Sequence, residues 1–194
     1  YQTYLISTRS TSDRVQCSGV LISPRWLLTA AQCIKGNIAS RVVFGSSTNN
    51  DGNTQVLDAR IFISHENYST SYLNNDIGLV DLEQELNLSD LSAQSSLYFG
   101  NVTVISNEEC TEYYGSKAVT SATICTKGSS TGEHNMCMGD QGGPLTGWNE
   151  SGEPVLLGLV SFGDSRGCDT DSPSAYIRPD HYIDWINEIT GLSF

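Results

Sequence analysis

Three short stretches gather the residues that could do chemistry. Met138-Gly139-Asp140-Gln141-Gly142-Gly143-Pro144-Leu145 sets a carboxylate and a carboxamide among glycines. Leu28-Thr29-Ala30-Ala31-Gln32-Cys33 carries a second glutamine, and Asn75-Asp76-Ile77-Gly78-Leu79 puts an aspartate ahead of an apolar run. A glutamine amide is a poor nucleophile, because its nitrogen lone pair is delocalised. It does not titrate near neutral pH, so it cannot act as a general base. The three histidines, His65, His134 and His181, all fall outside these stretches. The six cysteines contain no Cys-x-x-Cys pair, which argues against a zinc site or a redox motif. Disulfides in an oxidising compartment are the better reading, with fifteen pairings open on spacing alone. No metal or cofactor is expected.

These groups need a scaffold, and 194 residues suffice for one substantial core or two small half-domains. Residues 1–95 read as short strands and turns. Tyr4-Leu5-Ile6-Ser7, Ser18-Gly19-Val20-Leu21-Ile22, Trp26-Leu27-Leu28, Arg41-Val42-Val43-Phe44-Gly45 and Ala59-Arg60-Ile61-Phe62-Ile63 are strand-like, with a strong turn signal at Asn49-Asn50-Asp51-Gly52-Asn53. Many short strands with frequent turns indicate an all-β sandwich or barrel. Ser106 with Glu109 three residues on is a capping-box signature for a short helix, closed by Tyr113, Tyr114 and Gly115. Strands resume at Ala122–Cys125, Val155–Val160 and Ser174–Ile177. Apolar residues at 182, 183, 185, 186 and 189 give a final helix one buried face.

Charge narrows the function. With 10 Lys+Arg against 22 Asp+Glu, the formal net charge is −12. This balance argues against nucleic acid and anionic membrane surfaces as partners, since both need basic patches. Basic proteins would be favoured, although a soluble secreted surface explains the acidity more simply. No apolar run is long enough to span a membrane. No signal peptide is seen, which fits a mature secreted chain. Asn67-Tyr68-Ser69, Asn87-Leu88-Ser89 and Asn149-Glu150-Ser151 are glycosylation sequons, and Asn101-Val102-Thr103 is a weaker one.

The three chemical stretches resemble the Gly-Asp-Ser-Gly-Gly-Pro, Leu-Thr-Ala-Ala-His-Cys and aspartate segments of the trypsin-like serine proteases. Gln141 stands where that family has its serine and Gln32 where it has its histidine, while Asp76 matches the triad aspartate. The resemblance runs over nearly the whole chain, in order. It implies an all-β fold of two antiparallel six-stranded barrels and a C-terminal helix. The whole, 1–194, would be one domain, with barrels at 1–95 and 96–178 and the helix at 179–194. It implies disulfides Cys17–Cys33, Cys110–Cys125 and Cys137–Cys168. Losing either nucleophile or base alone costs on the order of 10⁶ in turnover, and the two losses do not sum. A member without enzymatic activity follows.

The same resemblance places Asn135 at the base of the specificity pocket, where trypsins hold an aspartate. It places Ser161-Phe162-Gly163 at the pocket edge, and Ser174 where a wall glycine is usual, so the pocket should narrow. Met138 adds apolar bulk near the mouth. Gly139 matches an oxyanion-hole donor. Gln32 can donate an amide hydrogen to buried Asp76. The family's Ile-Val-Gly-Gly start, which pairs with the aspartate matching Asp140, is absent, so oxyanion hole and pocket should stay loose. The segment around Leu97-Tyr98-Phe99-Gly100 is shorter than the family's and lacks a preceding Gly-Trp-Gly. Either strands are deleted there or residues are missing between those given. The second is favoured, because a deletion would remove barrel strands.

Phe62–Tyr68, Val104–Cys110 and Tyr182–Ile186 are similar to mite trypsin-like allergens. With two triad positions changed, the chain most resembles the scabies-mite inactivated serine-protease paralogues. That resemblance implies a secreted, monomeric binding protein of mite gut and faeces that interferes with host complement by binding its components through a surface outside the old cleft. A regulatory cofactor or inhibitor decoy in a protease cascade is the alternative. An enzyme with a rewired nucleophile, such as Ser161, is more remote.

Overall fold

The computed structural model describes residues 2–9, 13–44, 55–86, 99–128, 135–168 and 170–194. The turn at 49–53, the Asn87 sequon, His134 and Leu97-Tyr98 lie outside them. Seven strands build a first antiparallel sheet: β1 (Gln2–Thr8), β2 (Arg14–Leu21), β3 (Trp26–Thr29), β4 (Ala39–Phe44), β5 (Gln55–Ala59), β6 (Ile61–Ser64) and β7 (Gly78–Asp81). Their order is β5-β4-β1-β2-β3-β7-β6. Six strands were expected. The extra one arises because the run read as Ala59–Ile63 is broken at Arg60. One piece pairs with β4 and the other with β7. The chain thus passes through a single residue from one edge of the sheet to the other, and the sheet curls to let the edges meet. A closed barrel leaves no free edge at that seam.

The second antiparallel sheet holds β8 (Val102–Ile105), β9 (Thr123–Gly128), β10 (Pro144–Trp148), β11 (Pro154–Phe162) and β12 (Ser174–Ile177), ordered β10-β11-β12-β9-β8. Five strands stand here among the described residues against the six expected. Among the described residues β8 and β10 stand at the two edges of this sheet and do not pair.

The helices are short. α1 (Ala31–Ile34) follows β3 directly. α2 (Asn107–Tyr114) starts at Ser106, whose hydroxyl accepts the Glu109 N–H at 3.1 Å, and ends at Gly115 with φ +79°. Only half of the capping box forms, because the Glu109 carboxylate pairs with Lys127 Nζ at 2.5 Å. A 3-10 turn (Pro179–Tyr182) leads into α3 (Ile183–Thr190). Tyr182 and Ile186 are buried, and Trp185 and Ile189 are partly buried against the same cluster.

Alternation along β3 links the two cores. Leu27 packs inside the first sheet with Leu5, Phe44 and Val80. Its neighbours Trp26 and Leu28 face the other way, toward Leu159, Ile177 and Ile186 of the second half and α3. Residues at the end of β3 and the start of α1 are therefore held from both sides.

Candidate functional site

Asp76 is wholly buried at the join between the halves. Its preceding residue, Asn75, adopts φ +54°. That side chain is held from both sides: Nδ2 donates to Asn67 O at 2.9 Å, and Oδ1 accepts from Tyr182 Oη at 2.9 Å. Asp76 Oδ1 accepts the Gln32 backbone N–H at 2.8 Å, and Oδ2 accepts Gln32 Nε2 at 2.5 Å and Ser161 Oγ at 2.6 Å. Burial pushes the Asp76 carboxyl above the usual range, against the pull of these donors and of the Ala31 N–H. Gln32 Nε2 also donates to Ser161 O at 2.8 Å. Both of its amide hydrogens are thus spent inside the protein. Ser161, at 1% exposure, has its hydroxyl turned to Asp76.

Gln141 sits in the glycine-rich turn opposite. Its Oε1 accepts the Gly139 N–H at 2.9 Å, so a side chain of the turn itself takes up that donor. Its backbone carbonyl accepts the Ser18 N–H at 2.7 Å, fastening the turn to β2. Gly142, with φ +81°, lies so close to the first sheet that an added Cβ would fall 2.2 Å from Thr29 Oγ1 and 2.3 Å from Ser18 O. Only glycine fits there. Asp140 is exposed, and its Oδ2 accepts the Cys137 N–H at 2.7 Å, capping its own turn.

On one flank of this group, the space between 135–137, 161–163 and 174 is occupied. Asn135 Oδ1 accepts the Gly128 N–H at 3.1 Å, and Nδ2 donates to Thr170 O at 2.6 Å and Ser172 O at 2.8 Å. Ser174 is buried, and its hydroxyl accepts the Met136 N–H at 3.1 Å. Met136 packs against the Leu145, Val160 and Tyr176 cluster and lies against Gly163, whose added Cβ would meet Met136 Cγ and Sδ at 3.1 Å. Phe162 stacks edge-on with Tyr114 at 5.2 Å. Met136 and the Gln141–Gly139 bond were both missed in the sequence. Met136 was visible beside Asn135, but nothing in the pattern gave the direction of its side chain.

All three disulfides, Cys17–Cys33, Cys110–Cys125 and Cys137–Cys168, are formed. The first ties β2 to α1 beside Gln32, and the third ties the Gln141 turn to the loop before β12. They fit an extracellular protein. Among the described residues no helix is long and apolar enough to cross a membrane, and no group of three or more His, Cys, Asp or Glu side chains could hold a metal ion. His65 packs between Tyr182 at 5.3 Å and Trp185 at 5.1 Å, and His181 lies beside Asp180.

Comparison with known proteins identifies the scaffold. The trypsin family model matches residues 1–93 and 89–186, and the chain belongs to that family. Brachyurin of Leptuca pugilator is 33% identical over 213 aligned positions, covering 93% of this chain and 90% of that protein. Collagenase of Hypoderma lineatum is 30% identical, covering 100% and 84%. The solved structure of HL collagenase superposes with a TM-score of 0.84 at 28% identity, covering 100% of this chain and 94% of that one. The brachyurin alignment has more positions than this chain has residues, so that relative carries segments absent here.

Proposed function

We propose that this chain is a trypsin-family member without catalytic activity, secreted and working as a stoichiometric binding protein that inhibits host complement. The observation that carries the first half is the state of the two glutamines. Gln32 spends both amide hydrogens on Asp76 and Ser161 O, and Gln141 fills the Gly139 N–H with its own carbonyl. A triad needs a base to take a proton and a nucleophile to attack, and an oxyanion hole needs a free donor. None is supplied by this arrangement. The burial of Ser161 and its bond to Asp76 speak against a rewired nucleophile. The Met136-filled flank speaks against a decoy that traps protease inhibitors through the old pocket.

The complement assignment, and a place in mite gut and faeces, rest on the resemblance to scabies-mite inactivated paralogues, carried by Phe62–Tyr68, Val104–Cys110 and Tyr182–Ile186 together with Gln32 and Gln141 at the triad positions. The test has two arms. Purified protein is expected to leave peptide substrates uncleaved, and hydrolysis abolished by Ser161→Ala would overturn the inactive reading. Titrated into human serum, the protein is expected to protect red cells from complement lysis in proportion to dose, unchanged by Gln141→Ala. Lysis unaffected at micromolar protein would remove the complement role.

A further inference from the structure

One motif of the sequence takes no part in the glutamine centre. Asn149-Glu150-Ser151 lies in the loop between β10 and β11, and all three residues are exposed. The other sequons among the described residues are more tightly held. Tyr68 of the Asn67 sequon is buried, and Asn67 O accepts from Asn75 Nδ2. Val102 and Thr103 of the Asn101 sequon belong to β8 and pair with β9.

The loop from Asn149 to Glu153 closes on itself. The Asn149 N–H donates to Glu153 O at 2.9 Å, and the Gly152 N–H donates to Asn149 O at 3.0 Å, with Gly152 at φ +76°. The Asn149 side chain organises the rest. Its Oδ1 accepts the Ser151 N–H at 3.0 Å and the Glu153 N–H at 2.8 Å. The first of these is an Asx turn, which folds the serine of the sequon back toward the amide. Nδ2 donates to the exposed Glu153 carboxylate at 3.0 Å. An amide nitrogen carries two hydrogens. A sugar can replace one of them while the other, and Oδ1, keep every bond of the loop.

The hairpin adds a second observation. Trp148, next to Asn149, is 77% exposed, and Val155 and Leu157 are exposed on the facing strand. The cross-strand partner of Trp148 is Pro154, itself exposed and next to Glu153. So much bare apolar surface on one hairpin calls for a cover. An indole offers a flat apolar face with a polar edge, which suits a pyranose ring: its C–H face packs on the indole while its hydroxyls stay in water. Sugars linked to Nδ2 start one residue from the indole along β10 and beside its partner on β11.

We propose that Asn149 carries an N-linked glycan whose first sugars pack on Trp148. The inference rests on the reading of the chain as secreted. In the transfer, Asn149 Nδ2 attacks the anomeric carbon of a lipid-pyrophosphate-linked oligosaccharide, the donor used by the secretory pathway's transferase. The N–C bond forms as the C–O bond to pyrophosphate breaks. The lipid pyrophosphate leaves, and the amide gives up one proton.

The test secretes the chain from human cells behind a leader peptide. Peptide-N-glycosidase treatment in water enriched in heavy oxygen is expected to label Asn149 in the tryptic digest. Ser151→Ala keeps Asn149 but removes the hydroxyl of the sequon, and it is expected to lose that label and one glycan from the intact mass. Acrylamide should quench more of the tryptophan fluorescence in Ser151→Ala than in the glycosylated protein. Placing Trp148→Ala in both should abolish the difference, because Trp26 is buried and Trp185 lies in α3. Cooperative melting of each variant establishes that it folds. Secreted protein without label at Asn149 overturns the proposal and leaves the secreted reading standing. Labelled protein retained inside the cells overturns the secreted reading and supports the glycan. Equal quenching with and without the glycan overturns the packing on Trp148.

Discussion

The two flanks of the Gln32–Asp76–Gln141 group are built from the same turn and end up opposite in kind. The chain has two methionines, two residues apart in that turn. Met136 packs inward against Gly163 and the Leu145, Val160 and Tyr176 cluster. Met138 is 91% exposed and lines a basic cleft. On the first flank the side chains of Asn135 and Ser174 are committed to backbone partners. On the second, Arg14, Lys35 and Met138 are exposed around a cleft of about 860 Å³ that Arg9 also lines. The comparison teaches that one turn can line two quite different surfaces. Packing can close one side while the other stays open.

The comparison depends on the turn being locked to the first sheet, and breaking that lock should have the largest effect. Gly142→Ala puts a Cβ against Thr29 Oγ1 and the Ser18 carbonyl at positive φ. It should cost about 3 kcal/mol or more, read from urea denaturation. Met136→Ala should open the filled flank at a cost of about 2 kcal/mol, toward the low end for methionine because the side chain is only partly buried. A crystal structure of the variant should show the resulting cavity. A cost below about 0.5 kcal/mol would mean the flank is not packed as described.

Asp76 sharpens the picture of the centre through pH. Its folded carboxyl titrates above its unfolded value, so the folded state holds the proton more tightly between the two. Stability from this group is greatest below the unfolded value of about 4 and falls as pH rises toward the folded one, by at most about 1.4 kcal/mol per pH unit. Asp76→Asn should remove that slope, as measured by melting across pH 4–7. A wild-type curve that instead rises through that window relative to the variant would show the donors outweighing burial. The smallest effect is expected at Met138→Ala, within about 0.5 kcal/mol in the same melts. A larger loss would contradict its exposure and the distinction between the flanks.

Much of the scaffold could be read in advance because it follows from local rules. Strand alternation, the Ser106 cap and the apolar face of α3 are properties of neighbouring residues. The break at Arg60 was not legible, since it reflects which strand each half pairs with, and pairing partners lie far apart in the chain. Asn135 could be placed by its motif, but its three hydrogen bonds reach residues 128, 170 and 172 and belong to the folded loops. The cationic cleft was hidden more deeply. A strongly acidic composition pointed away from it, and its three cations come from three separate elements.

By itself, the amino-acid sequence determined which chemical groups are present at Gln32, Asp76 and Gln141, and so which reactions those side chains can take part in. That is a matter of covalent identity and needs no coordinates. It also determined the order of strands and the cysteines available to join them. Only the tertiary structure decided where each amide spends its hydrogen bonds, which methionine faces inward, and that Arg9, Arg14 and Lys35 share one cleft. Those outcomes depend on contacts between segments far apart in the chain, and such contacts exist only once the two sheets have packed together.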